Sequence, residues 1–256
     1  MAQKKVEDTG AKLGSQHPLY DVVAEAYRVF KYPRPHSLEV CQACCMDPAI
    51  EAEFLEIAIE DLPLRALSDW FSAACDPGGV SKSVWGYLLP RILEALACGE
   101  EVSSVGLEVS LSRFQTGQKE NWSETEWRVL DDFRKRYLRH AMRRYDHHVD
   151  DMVCMFVLAG WPIDEILAQI ASLPTAVLVE RFWNDWCKDR GPGGGEVWIT
   201  AFWEPQQTSR LHAFYTSKSF YQRFKQLAFA GDTPPFLAMK ARALLVVLED
   251  SAFDPA

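Results

Sequence analysis

With 256 residues, 48% of them apolar, the chain has material for one large or two small cores, which excludes general disorder. No window reaches the roughly 18 unbroken apolar residues of a membrane span. The opening MAQKKVEDTG lacks the apolar run of a secretory leader, so the expected location is cytoplasmic, with no membrane partner. A net charge of −9 argues against bulk phosphate-backbone binding, which needs a positive footprint. Nucleic acid is therefore not expected as a partner, whereas a basic protein is compatible with the charge.

In chain order, residues 1–17 read as a polar, mobile N-terminal arm. A first helix is predicted over 18–30, because Leu19, Val22, Val23, Ala26, Tyr27 and Phe30 recur at helical spacing. Pro33 and Pro35 break it, and Pro48 opens the next helix, with Ile50, Phe54, Leu55 and Ile57 on its apolar side. Asp61 and Pro63 open a helix carrying Leu64, Leu67, Trp70 and Phe71. The sequence 76–79, Asp-Pro-Gly-Gly, ends that region. Ser81 or Ser83 begins a helix that Gly99 closes, with Pro90 inside it as either a kink or a restart.

A shorter helix is expected from Ser103 or Ser104 to Phe114. Ser123 and Glu126 form a capping box for the longest helix, 124–145, with Trp122 placed to staple against Trp127. Further helices are expected up to Gly160, from Pro162 and from Pro174. Residues 191–195, Gly-Pro-Gly-Gly-Gly, read as a hinge. The segment 196–203 has strand-like content but is expected to be helical, leading into helices over 211–230 and 235–248. No period-2 sheet is visible. The expected fold is all-α: an irregular multi-helix bundle or a short HEAT-like stack of antiparallel helix pairs. Its parts would be a main helical domain (18–190), the hinge, and a C-terminal helical segment (196–256) packed on the main domain.

The turn before Pro48 places Cys41, Cys44 and Cys45 within five positions. It is either a sulfur site or a packing corner. With His36 it could supply four zinc ligands, although a second Cys-x-x-Cys is missing. The simpler reading is buried structural thiols, with no cofactor. His147, His148, Asp150 and Asp151 form a second metal candidate, of the kind used by helical metal-dependent hydrolases. The simpler alternative has Asp146 or Asp150 capping the following helix. The basic run Arg134, Lys135, Arg136, Arg139, His140, Arg143 and Arg144 could bind phosphate, but a solvated helix face is the simpler reading, since cations are favoured toward a helix C-terminus. There is no Gly-x-Ser-x-Gly, His-Glu-x-x-His or Rossmann glycine pattern.

The cysteine turn, the segment LPLRALSDW and Leu88-Leu89-Pro90-Arg91-Ile92-Leu93-Glu94 resemble a family of bacterial proteins without an established activity. That family is marked by an early cysteine cluster, a Leu-Pro-Arg helix and a later tryptophan-rich helix. The resemblance covers 18–127. It implies a toxin-immunity role, because some such proteins are encoded beside toxin genes, and it carries over no catalytic residue. Together with the acidic charge, it leads to the expectation of an immunity or inhibitor protein that occludes a basic toxin. The expected contacts are Glu51, Glu53, Glu56, Glu60 and Asp61. The rival readings are the hydrolase at 147–151 and a zinc-stabilised scaffold at the cysteine turn.

Overall fold

Helix starts fall where prolines and small polar residues stand. The computed structural model describes residues 12–42, 45–75, 78–144, 146–188, 190 and 194–251. Among these it contains eleven α-helices: α1 (Tyr20–Val29), α2 (Pro48–Glu56), α3 (Leu64–Ser72), α4 (Lys82–Cys98), α5 (Glu124–Ala141), α6 (Val149–Leu158), α7 (Ile163–Ala171), α8 (Thr175–Trp186), α9 (Pro205–Tyr215), α10 (Lys218–Phe229) and α11 (Pro235–Asp250). The only β-pairing among the described residues is an isolated antiparallel bridge between Val40 and Cys75. The fold is an all-α multi-helix bundle. Among the described residues no helix is long and apolar enough to cross a membrane.

The chain forms two compact units, one of residues 1–137 with 155–161, the other of 138–154 with 162–256. The division falls inside α5 and α6. Of the expected hinge, 191–193 lie outside the described residues, and Gly194 and Gly195 belong to the second unit. Of the expected arm, 1–11 lie outside the described residues, while the Leu13 amide donates to Glu94 Oε1 at 3.4 Å.

The first unit is built around α4, which is buried almost along its whole length. Ser81 caps its start by accepting the Val84 amide at 3.3 Å, and Gly99 ends it at φ 79°. The helix continues through Pro90, neither ending nor restarting there. Proline removes the bond to the carbonyl four residues back, and that residue is Gly86. The ring of Tyr32 packs against Gly86 so closely that a Cβ there would meet it at 2.6 Å. The Leu-Pro-Arg-x-x-Glu segment is a buried ion pair: Arg91 donates to Glu94 at 3.0 Å and to the Leu62 carbonyl at 2.8 Å. Tyr27 of α1 donates its hydroxyl to the same Glu94 at 2.8 Å. The capping box is present, with the Ser123 amide donating to Glu126 at 2.8 Å and the Glu126 amide to Ser123 Oγ at 3.3 Å. The staple partners, however, point to other rings. Trp122 meets Phe30 and Phe114 edge-on, while Trp127 stacks on Trp161.

The second unit is held by α8, α10 and α11, which pack on one another. Phe182 stacks on Trp186 at 4.4 Å and meets Tyr215, Phe220 and Phe224 edge-on.

Four expected elements differ. The helix over 103–114 is a 3-10 turn, Leu107–Val109, followed by further turns. The segment is rich in serine, and Ser112 bonds back to the Val109 carbonyl at 3.0 Å, offering the backbone an alternative to helix. The long helix ends at Ala141 instead of 145, where Arg181 takes the Ala141 carbonyl and, beyond the helix, those of Arg144 and His147. The span 211–230 is two helices, broken at Thr216 and Ser217. The segment 196–203 is neither strand nor helix: the Thr200 amide and the Trp198 and Trp203 indole N–H groups are drawn to carboxylates of α6, as described next.

Candidate functional site

The five acidic residues proposed as contacts do not act alike. Glu51 is a correction. It is 4% exposed, and its carboxylate faces inward. Oε1 accepts from Ser37 Oγ at 2.8 Å and the Leu38 amide at 2.5 Å, and Oε2 accepts from Gln42. It therefore ties the segment before the cysteine turn to α2. Glu51 stands three residues before Phe54, on the same buried row of α2, which was the available signal for its burial. Glu51→Ala is expected to cost about 2 kcal/mol in urea denaturation, because it orphans the buried Leu38 donor. Glu53→Ala, one turn face away, should cost less than about 0.5 kcal/mol.

Glu53, Glu56, Glu60 and Asp61 are exposed. Of these, Glu53 lines one groove, and Glu60 borders a separate one beside Tyr27, Tyr32 and Tyr87. A groove of about 240 Å³ lies between α2 and α3, with Ile50, Phe54, Ile57, Pro63 and Ala66 as its apolar part and Glu53, Arg65 and Asp69 as its charged part. Ile50 is 49% exposed, an uncommon position for a large aliphatic side chain beside a groove. Arg65 lies 3.8 Å from Asp69, both on the exposed face of α3, and Lys12 lies 3.9 Å from Asp61. The remaining exposed carboxylates on α2 carry no described cation partner. Asp47 begins α2 by accepting the Ala49 amide at 2.7 Å, so α2 is rigidly started at the edge of this face.

The cysteine turn is a packing corner against the end of α3. The Cys41 amide donates to the Ala74 carbonyl at 2.8 Å, and the Cys41 carbonyl accepts the amides of Cys45 and Met46 at 3.2 and 3.1 Å. Trp70 donates its indole N–H to the Leu38 carbonyl at 3.1 Å. Arg113 lies over the Trp70 ring and donates to the carbonyls of Phe71 and Ala73, closing α3 from outside the helix. Cys41 is half-buried, Cys45 and His36 are exposed, and Cys44 lies outside the described residues.

The cluster at 147–151 is a structural junction of the second unit. Asp150 is fully buried and does not cap α6. Its Oδ2 accepts the Thr200 amide and the Trp203 indole N–H, both at 2.8 Å, and its Oδ1 accepts the Tyr215 hydroxyl at 2.9 Å. Burial pushes its carboxyl up to about 6 even though all three donors pull it down. The cap is supplied instead by Asp151, which accepts the His148 amide at 3.1 Å, and by Asp185 of α8, which accepts the Val149 amide at 2.8 Å. Asp151 also accepts the Trp198 indole N–H at 3.2 Å, and Trp198 stacks on His148 at 4.6 Å. These carboxylates are committed to backbone and indole donors. Among the described residues, no group of three or more His, Cys, Asp or Glu side chains is placed to hold a metal ion.

The basic run is largely neutralised. In the first unit Arg134 is buried and pairs with Asp131 at 2.7 Å, as does Lys135 at 2.6 Å, and Arg136 pairs with Asp132 at 2.9 Å. In the second unit Arg144 pairs with Asp146 at 2.5 Å. Compared with protein-family profiles, curated protein sequences and solved structures, the chain matches none of them. Any functional reading therefore rests on the geometry of the molecule itself.

Proposed function

We propose that this chain is a binding protein that occludes a cationic protein partner, with the α2–α3 face as its contact, and that its biological role is that of an immunity or inhibitor protein acting on a basic toxin. The observation that carries the reading is the combination of an exposed apolar anchor, Ile50, with a groove whose lining includes Glu53 and Asp69, on a stretch of chain where Glu56, Glu60 and Asp61 are also exposed. The carboxylates would speed encounter with a cation-rich surface, and desolvation of Ile50 and Ile57 would then slow dissociation. No reaction is proposed. Against the hydrolase alternative stands the use of both Asp150 oxygens by protein donors.

The test is capture of partners from native extract by the immobilised protein at low and high salt. The triple variant Glu53→Lys/Glu56→Lys/Asp69→Lys should slow association by about tenfold or more, with a weaker salt dependence. Capture that ignores both salt and the triple variant would overturn the reading. So would a partner whose contact surface is acidic.

A further inference from the structure

A groove in the other unit has the opposite electrostatic character. It lies along α11 beside the end of α8, with a volume of about 390 Å³, at the small end of the range for pockets that take small ligands. Trp183, Met239, Val246 and Val247 supply its apolar wall. Met239 and Val246 are 41% and 42% exposed, so apolar side chains stand on the outward face of an otherwise amphipathic helix.

Among the described residues, every charged side chain lining the groove is a cation: Lys188, Arg190 and Arg242. This happens in a chain with 36 acidic residues against 27 Lys and Arg. The charges are only partly answered by the protein. Arg190 lies 3.8 Å from the exposed Glu196. Arg242 donates to the Ala228 carbonyl at 3.2 Å and lies over the Phe229 ring, neither of which cancels its charge. Lys188 has no ion pair among the described residues. The nearby Lys240 is different, since Glu180 neutralises it and it covers the rings of Trp183 and Phe236. Cys187 also lines the groove, but burial pushes its thiol up to about 11, so at neutral pH it is an inert apolar wall and not a nucleophile.

We propose that the α8–α11 groove binds a free anionic amphiphile, a carboxylate carried on an apolar chain, with the chain against Trp183, Met239 and Val246 and the carboxylate beside Arg242 and Lys188. The net negative protein would repel such an anion over most of its surface, so the local cation cluster confers the selectivity.

The experiment is isothermal titration of the full chain with monomeric decanoate and, separately, with decyltrimethylammonium, which has the same chain and the opposite charge. Decanoate should bind one to one, and the cation at least about tenfold more weakly. Arg242→Glu and, independently, Lys188→Glu should each weaken decanoate by about tenfold while leaving circular dichroism unchanged, since Arg242 is exposed. Val246→Asp should abolish binding of decanoate. The proposal is overturned if the two amphiphiles bind alike, if neither charge reversal changes decanoate affinity, or if decanoate fails to bind below its micelle concentration. Binding confined to phosphatidylglycerol vesicles would likewise overturn it, because that would make the groove a membrane-contact face.

Discussion

Replacing Arg181 by methionine is expected to destabilise the protein by about 3–5 kcal/mol at pH 7. The guanidinium is fully buried in α8, and it holds the connection between α5 and α6. Its Nη1 donates to the carbonyls of Ala141, at 3.2 Å, and Arg144, and its Nη2 to that of His147. Its Nε donates to Asp185 at 3.0 Å. Asp185, with its side chain only 1% exposed, in turn accepts the Val149 amide that begins α6. Removing the cation leaves a buried carboxylate and several carbonyls without their donor, and the loss of one partner of a buried pair costs more than the pair was worth. Arg181→Lys should not rescue, because one ammonium cannot span the positions that the planar fork reaches. Arg181→Met/Asp185→Leu should recover part of the loss by removing the orphaned charge. Urea denaturation gives the magnitudes, and hydrogen exchange should show the 141–149 amides opening first. A cost below about 1 kcal/mol would show that the clamp is not what holds this connection.

Asp150→Ala should cost about 2–3 kcal/mol at pH 7, since it strips the acceptor from two buried N–H groups, those of Thr200 and Trp203. The effect should depend on pH in an unusual direction. The ordinary carboxyl value is 3.8 and the folded value is about 6. The folded state therefore holds the proton more tightly than the unfolded chain. The proton-linked part of Asp150's contribution is complete below pH 4 and is lost as pH rises through 6, leaving the hydrogen-bonding part at pH 7. Across that window the difference between wild type and Asp150→Ala should shrink by roughly 3 kcal/mol.

Protonation need not break the junction. Both N–H donors sit on Oδ2, while Oδ1 meets the Tyr215 hydroxyl, which can turn to accept the proton instead of donating one. Burial and the adjoining Asp150 charge drive the Tyr215 pKa well above its ordinary value, so the hydroxyl keeps its proton throughout. The comparison must be made by difference. Glu25, Glu126 and Asp131 have lowered values and push total stability the other way with pH. Urea titrations of both proteins at pH 4, 5, 6 and 7 provide it, and a difference that grows with pH would contradict the assignment.

These two junctions show where sequence reading ran out. The period of α8 marks Leu178, Val179 and Phe182 as buried, and Arg181 stands on the same face. An arginine at such a position reads as solvent-facing unless its acceptors are known, and these lie 34 to 40 residues earlier in the chain. Asp150 stands three residues before Val153 and reads as a helix-start carboxylate, whereas its donors arrive 50 to 65 residues later. The same holds for Glu51, which looks like one of several surface acids on α2 until Leu38 is found against it. In each case the local pattern correctly marked a buried face but could not supply the partner that makes a buried charge tolerable.

What the sequence determined by itself was local. Apolar spacing near 3.6 set the helical class, Pro48 and Pro235 opened helices, Ser123 with Glu126 capped α5, and Gly99 ended α4, because each of these acts on the backbone within about one turn. Tertiary structure decided which charges turn inward, that 196–203 ties the Thr200 amide and two indoles to α6 carboxylates in place of forming a helix, and that a cationic groove exists on an acidic chain. Those outcomes depend on desolvation and on donors brought together across tens of residues, and no short window of sequence contains them.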